Sequence, residues 1–345
     1  MRIAHINLAR GFRGGERQTE LLIRELAKMD IKQTLVCRKD SPLIERLRDI
    51  KSLELYFANY FFSGHIGAIK SDLLHAHEAK AARWAWIENI LRKTPYIITR
   101  RVLNALKPKT RVVYKKASAV AAISKAIKEI LLSYDPSLNV SVILSAACDV
   151  APNSQKCEEI RKAFAGKTII GSIGALAEYK GQRYLIDAAR MLKRDDLAFV
   201  FLGEGEDEAK LKQSAEGLNN VYFLGFKNNV ADYIAAFDLF VFPSLQEGLG
   251  STLIDAMRLE VPIIASDVGG IPDLIAHNIT GFLVPPKDAG AIKTAIEKAL
   301  KADLSAIVSA AKEKSYLFSS ENMTSEYMKL YLSITAKDIN NDKGI

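Results

Sequence analysis

The chain has 345 residues, 49% of them hydrophobic and 26% charged, enough for two ordinary cores and too apolar for a disordered protein. No stretch approaches the roughly 20 apolar residues of a membrane span, and the opening MRIAHINLAR lacks the long apolar run of a secretion signal. Cys37, Cys148 and Cys157 show no CxxC spacing, which excludes a disulfide framework and predicts a reducing, cytoplasmic setting.

The net charge of +8 is unevenly placed. Residues 1–150 hold 26 Lys and Arg against 14 Asp and Glu, giving +12, and the remainder holds 22 against 26, giving −4. A basic first half suits a polyanionic partner, whether an anionic membrane surface, a phosphorylated acceptor or nucleic acid, or is plain solvated surface. No RNP-like run and no zinc-ligand spacing supports nucleic acid.

In chain order, RIAHIN reads as a buried strand and ERQTELLIRELAKM as an amphipathic helix, with Leu21, Leu22 and Leu26 at helical spacing. TLVC, LELYF, DLLHAH, YIIT and AVAAIS read as further strands. DVAPNSQKCEEIRKAF is polar and turn-rich and predicts a joint near 150–165. Beyond it, the strand patterns TIIGSIG, AFVFLG, VYFLG, LFVFPS, PIIASD and FLVPP alternate with the helix patterns YLIDAARMLK, VADYIAAF, TLIDAMRL and AIKTAIEKALKA. ENMTSEYMKLYLSI reads as a last helix, and the polar tail after Ala336 has little to bury. Strand–helix alternation with continuous apolar strands gives α/β architecture, here two doubly wound, Rossmann-like parallel sheets. The expected domains are 1–158 and 159–320, with the helix 321–336 returning to the first. Open parallel sheets bind ligands beyond the carboxyl ends of their strands, so the chemistry is expected in those loops, facing a cleft between the domains.

Several loops carry chemistry. Gly11-Phe12-Arg13-Gly14-Gly15-Glu16 follows the first strand and either brings backbone close to an anion or simply turns into a helix. His75 and His77 of HAHE fall on one face of their strand, with His77 nearer its carboxyl end. No further metal ligand is near them in sequence, and no metal is expected. Arg100 and Arg101 follow YIIT and suit a phosphate or carboxylate, or solvated surface. Lys180, in the glycine-containing loop after TIIGSIG, suits a diphosphate, with Arg183 three residues on. Leu202-Gly203-Glu204-Gly205 either lets the backbone pass close to a ligand or is a structural turn. The most informative segment is PSLQEGLGSTLIDAM, where Glu247 and Asp255 stand eight residues apart across Gly250, Ser251 and Thr252 at a helix start. Free amides there suit a phosphate, or Ser251 or Thr252 caps the helix. Gly269-Gly270-Ile271-Pro272-Asp273 reads as structural support.

These segments, in this order, resemble the retaining glycosyltransferases of family 4, which have the GT-B fold. The resemblance spans nearly the whole chain and is densest at FPSLQEGLGSTLIDAM, SDVGGIPDLI, IGALAEYKGQRYLIDAA and FLGEGE. It implies that Glu247 contacts the donor sugar as the first acid of an EX7E motif, and that Asp255, the second, binds the ribose. Lys180 and the amides of Gly250, Ser251 and Thr252 then hold the diphosphate, and Gly14 and Gly15 touch the donor from the other domain. His77 lies by the sugar, and the base falls near Gly203 and the loop holding Phe226 and Lys227. Arg13, Arg100 and Arg101 are left for an anionic acceptor.

Two positions depart from the pattern. Ala175 stands where the family usually has Arg, for which Arg183 is a candidate substitute, and Asp255 is one methylene shorter than Glu. The implied activity is metal-independent, retaining transfer from a nucleoside diphosphate sugar to a glycan or lipid-linked acceptor in bacterial surface polysaccharide or lipopolysaccharide assembly, with no cofactor. The competing readings are a sugar-nucleotide epimerase of similar fold and an inactive scaffold.

Overall fold

A computed structural model describes residues 1–67, 69–147 and 151–342. The chain divides into two compact units, Met1–Ala146 with Ser319–Ile345, and Ala147–Phe318.

The first unit runs β1 (Arg2–Asn7), α1 (Gly14–Ala27), β2 (Lys32–Cys37), α2 (Pro42–Arg46), β3 (Leu53–Phe57), β4 (Leu73–Ala76), α3 (Ala79–Arg92), β5 (Tyr96–Arg100), α4 (Arg111–Lys115), β6 (Ala119–Ala122), α5 (Lys125–Tyr134) and β7 (Val140–Val142). The second runs α6 (Ser154–Ala163), β8 (Thr168–Ile173), α7 (Gln182–Leu192), β9 (Leu197–Leu202), α8 (Glu208–Ser214), β10 (Val221–Phe223), α9 (Val230–Ala236), β11 (Leu239–Phe242), α10 (Ser251–Arg258), β12 (Ile263–Ser266), α11 (Ile271–Leu274), β13 (Phe282–Val284), α12 (Ala289–Ala299) and α13 (Ser305–Ser315). The last helix, α14 (Ser320–Asp342), returns to the first unit.

Every strand read from the sequence is present, most of them as apolar runs buried on both faces of a parallel sheet, while β3 and β10, at sheet edges, are exposed or half-buried. The three-residue β7 was not foreseen, being too short to show alternation. The sheet orders are β3-β2-β1-β4-β5-β6-β7 and β10-β9-β8-β11-β12-β13. In each, the winding direction reverses once, between β1 and β4 and between β8 and β11. A crevice opens at the carboxyl ends of such a strand pair because the flanking loops leave in opposite directions.

Two expectations are corrected. The segment expected as a turn-rich joint contains helix α6, whose N-cap Asn153 accepts a hydrogen bond from the Lys156 amide. Its polar composition reflects an exposed helix, with no residue of α6 buried. The tail after Ala336 continues α14 to Asp342, since extending a formed helix adds a backbone hydrogen bond per residue at little cost. Cys148, and residues 149–150 near the expected joint, lie outside the described residues, as do 343–345. Cys37 is buried, which pushes its thiol pKa up to about 12.

α14 completes the first core. Met323, Tyr327, Leu330, Tyr331 and Ile334 recur at helical spacing and pack with Ile3, Leu22, Leu26, Leu73 and Ile97. The second core packs α7 and α12 on one face of its sheet through Phe199, Phe201, Ile264, Leu185, Ile186 and Ile296.

Candidate functional site

The reversal point of the second sheet holds the strongest cluster. Lys180 sits in the loop after β8 and Glu247 in the loop after β11. Lys180 Nζ meets Glu247 Oε2 at 2.5 Å, and each side chain is only 16% exposed. The ammonium also lies 5.1 Å from the Phe242 ring centroid.

Backbone contacts fix the two loops against each other. The Leu245 amide donates to the Tyr179 carbonyl at 2.8 Å. Gly181 has φ +67°, and a Cβ there would stand 2.1 Å from the Pro243 carbonyl oxygen, so only glycine lets the loops close. The Gly270 amide donates to the Glu247 carbonyl at 3.0 Å, which is the structural support expected of the Gly269-Gly270 turn.

Helix α10 begins beside Glu247. Its N-cap is Gly250, at φ +88°, and no side chain caps the first turn. The reading in which Ser251 or Thr252 is the cap is therefore overturned: both lie inside the helix. Uncapped amides at the positive end of a helix dipole form a ready anion site. Asp255 lies one turn further along α10 and is half-buried.

Gly203 belongs to a neighbouring loop. Its amide donates to the Gly225 carbonyl at 2.9 Å, and a Cβ would stand 2.0 Å from the Gly174 carbonyl oxygen, so packing against the Lys180 loop alone accounts for the glycine. Phe226 projects from the adjoining turn at 64% exposure, with half-buried Lys227 after it. Arg183 is not brought to Lys180: it is exposed and directed along α7 to Asp187, 3.7 Å away. It lines a separate cavity of about 500 Å³ with Gln182, Asp207 and Lys210, and neither Lys180 nor Glu247 lines it.

In the first unit, the reversal point between β1 and β4 holds three histidines. His75 and His77 share one face, as alternation predicts, and His5 joins them from β1, where the register pairs it with His75. His5 Nδ1 and His77 Nε2 are 3.1 Å apart. His75 is bonded at Nδ1 to the Tyr331 hydroxyl and at Nε2 to Thr99 Oγ1, both at 2.7 Å. Burial makes the charged form costly, pushing His5 down to about 3 and lowering His75 and His77 well below the ordinary imidazole value. The ligand atoms of the three rings lie within 4.8 Å of one another. However, those of His5 and His77 that face each other already share a hydrogen bond, and both nitrogens of His75 are engaged. Glu78 is the N-cap of α3, accepting from the Lys80 and Ala81 amides.

The glycine loop leads into α1, where Glu16 accepts from the Arg13 amide at 2.9 Å and the Arg13 side chain is exposed. Gly14 has open space around it, and Gly15 faces the Arg101 side chain. The Arg101 Nε is buried without a hydrogen-bond partner, and burial lowers its pKa. Arg100 is turned the other way, bonding the Val102 and Asn104 carbonyls of its own loop. Sequence reasoning missed His5, Gln33, Tyr327 and Tyr331. A histidine inside the apolar run RIAHIN was the one available signal.

Two parallel-sheet, Rossmann-like units are the architecture of the GT-B fold. Residues 12–145 match Glycosyltransferase Family 4, and residues 154–314 match Glycosyl transferases group 1. The chain belongs to the family 4 glycosyltransferases.

Among curated relatives, it is 34% identical over 171 residues to the amylovoran biosynthesis glycosyltransferase AmsK of Erwinia amylovora, covering 45% of this chain and 42% of that protein. It is 25% identical over 343 residues to an Escherichia coli UDP-Gal:alpha-D-GlcNAc-diphosphoundecaprenol alpha-1,3-galactosyltransferase, covering 84% and 85%. The alignments to the first two relatives span 42% and 61% of those proteins' lengths. The fold is shared with HepE of Anabaena in complex with UDP-glucose, at TM-score 0.82 and 21% identity, over 96% of this chain and all of that one.

Proposed function

We propose that this protein transfers a sugar from a nucleoside diphosphate sugar to a glycan or lipid-linked acceptor, with retention at the anomeric carbon, in bacterial surface polysaccharide assembly. The observation that carries the reading is the Lys180–Glu247 pair at the β8/β11 reversal beside the uncapped α10. Lys180 and the α10 amides supply positive charge where a departing diphosphate gains negative charge, the role a metal ion plays elsewhere. Glu247 then accepts hydrogen bonds from the sugar hydroxyls. Asp255 takes the ribose, and the Gly203 and Phe226–Lys227 loops flank the base. The bond from the anomeric carbon to the diphosphate breaks, the bond to the acceptor oxygen forms on the same face, and the acceptor's proton passes to the leaving phosphate oxygen.

His77 is assigned to the sugar, Gly14 and Gly15 to the donor and its diphosphate, and Arg13 and Arg101 to an anionic acceptor. Arg100 is the weakest of these assignments because its guanidinium already serves its own loop. UDP-sugars are the first donors to test, since the similar HepE holds UDP-glucose and the similar galactosyltransferase is named for UDP-Gal.

The test is thermal shift with UDP, GDP, ADP and their sugar conjugates in EDTA, followed by product analysis of the anomeric linkage. Binding to the native state raises Tm by mass action. Absence of a shift with every nucleotide, or dependence on added metal, would overturn the reading. Nucleotide binding without turnover would favour the inactive scaffold.

A further inference from the structure

The three-histidine cluster contains an orientation problem that its neighbours solve. An imidazole sharing one proton between two nitrogens presents either a donor or a lone pair, and its partners decide which. The Gln33 amide is fixed first: its Nε2 donates to the Ile23 carbonyl at 3.0 Å, which turns its Oε1, an acceptor only, away from that carbonyl. Gln33 Oε1 and His5 Nε2 are both buried and otherwise without partners. The β1–β2 register pairs Gln33 with Ile3, which places it on the sheet face that carries His5, and Gln33 raises the His5 pKa against the larger lowering by burial. An acceptor at that place puts the His5 proton on Nε2 and leaves Nδ1 with a lone pair. His5 Nδ1 is the atom 3.1 Å from His77 Nε2, so the His77 proton sits on Nε2. His77 Nδ1, buried and without a partner, is then a bare lone pair.

We propose that Gln33 and His5 are positioning residues that set the tautomer of His77, so that its Nδ1 accepts a hydrogen bond from a sugar hydroxyl. This rests on the assignment of His77 to the sugar. A hydroxyl fits a lone pair, and an ionised phosphate oxygen, which carries no proton, does not. The relay explains two buried polar residues on β1 and β2 that contribute nothing to an apolar core and cost stability unless hydrogen-bonded. His75 does not take part, since both its nitrogens are engaged by Thr99 and Tyr331.

The experiment is long-range proton–nitrogen correlation NMR on the full chain labelled with nitrogen-15 in its five histidines. The variants His65→Gln and His277→Gln remove the two signals outside the cluster. The expected wild-type spectrum shows His77 protonated at Nε2 and bare at Nδ1. In Gln33→Leu the His77 pattern mixes or inverts, and kcat falls at least about tenfold, the loss seen when residues that orient metal-bound histidines are removed. A wild-type His77 protonated at Nδ1 overturns the proposal, and so does a folded Gln33→Leu with unchanged His77 nitrogens. The wild-type spectrum decides alone if that variant does not fold. The expected tautomers together with full turnover in His77→Asn would leave the relay standing and remove His77 from the sugar site.

Discussion

Lys180 and Glu247, 67 positions apart in sequence, meet as an ion pair 2.5 Å apart. An incoming diphosphate must therefore compete with Glu247 for the ammonium. Glu247→Gln removes the competitor and its negative charge together. The expected outcome is tighter binding of the free nucleoside diphosphate, by calorimetry, with transfer from the sugar conjugate reduced at least about a hundredfold. Lys180→Met should weaken both, by the roughly 1.5–3 kcal/mol of a charge-assisted hydrogen bond. Weaker free-nucleotide binding in Glu247→Gln would show that the pair acts as one unit.

Gly181→Ala tests the seam that brings the pair together. Its Cβ would stand 2.1 Å from the Pro243 carbonyl oxygen, at a φ that L residues avoid. The loops must separate, costing about 2 kcal/mol or more in chemical denaturation, and the loss of activity should exceed that of an alanine at exposed Arg183.

The buried histidines predict acid sensitivity. His5 stays neutral in the fold down to about pH 3, while in the unfolded chain it protonates near 6.5. Between those values the unfolded state binds the extra proton, so stability is complete above pH 6.5 and falls as pH drops. His5 alone then costs about 2 kcal/mol at pH 5. His75 and His77 act in the same direction. Urea midpoints from pH 8 to 5 should show this slope, and His5→Leu should flatten it.

Tyr331 joins the last helix to the first sheet through a bond spanning 256 residues. Tyr331→Phe leaves His75 Nδ1 unpaired in the core, at a cost of about 1–3 kcal/mol. A Tm unchanged by that substitution would mean that water replaces the hydroxyl.

Residues 100–116, RRVLNALKPKTRVVYKK, carry seven basic and no acidic side chains. Lys107, Lys109, Lys115 and Lys116 are exposed beside exposed Val102 and Val112. An anionic membrane should attract each lysine by about 1 kcal/mol. Sedimentation with anionic vesicles is expected to be lost at high salt and in the four-fold Lys→Ser variant. Equal binding to neutral vesicles would remove the electrostatic basis.

Local pattern alone specified much of this protein. Continuous apolar strands between amphipathic helices gave the two parallel sheets, and EGLGSTLIDAM placed Glu247 before a helix start, because strand burial and helix periodicity are written into neighbouring residues. Spacing also put His75 and His77 on one face. Tertiary structure decided which polar groups meet. Lys180 reaches Glu247, whereas Arg183, three residues on, turns along its own helix to Asp187. Arg100 serves its own loop while the Arg101 side chain, half-buried, packs beside Gly15. His5, Gln33 and Tyr331 converge on the histidine face from β1, β2 and α14, since parallel pairing and a returning helix create neighbours that no local period records.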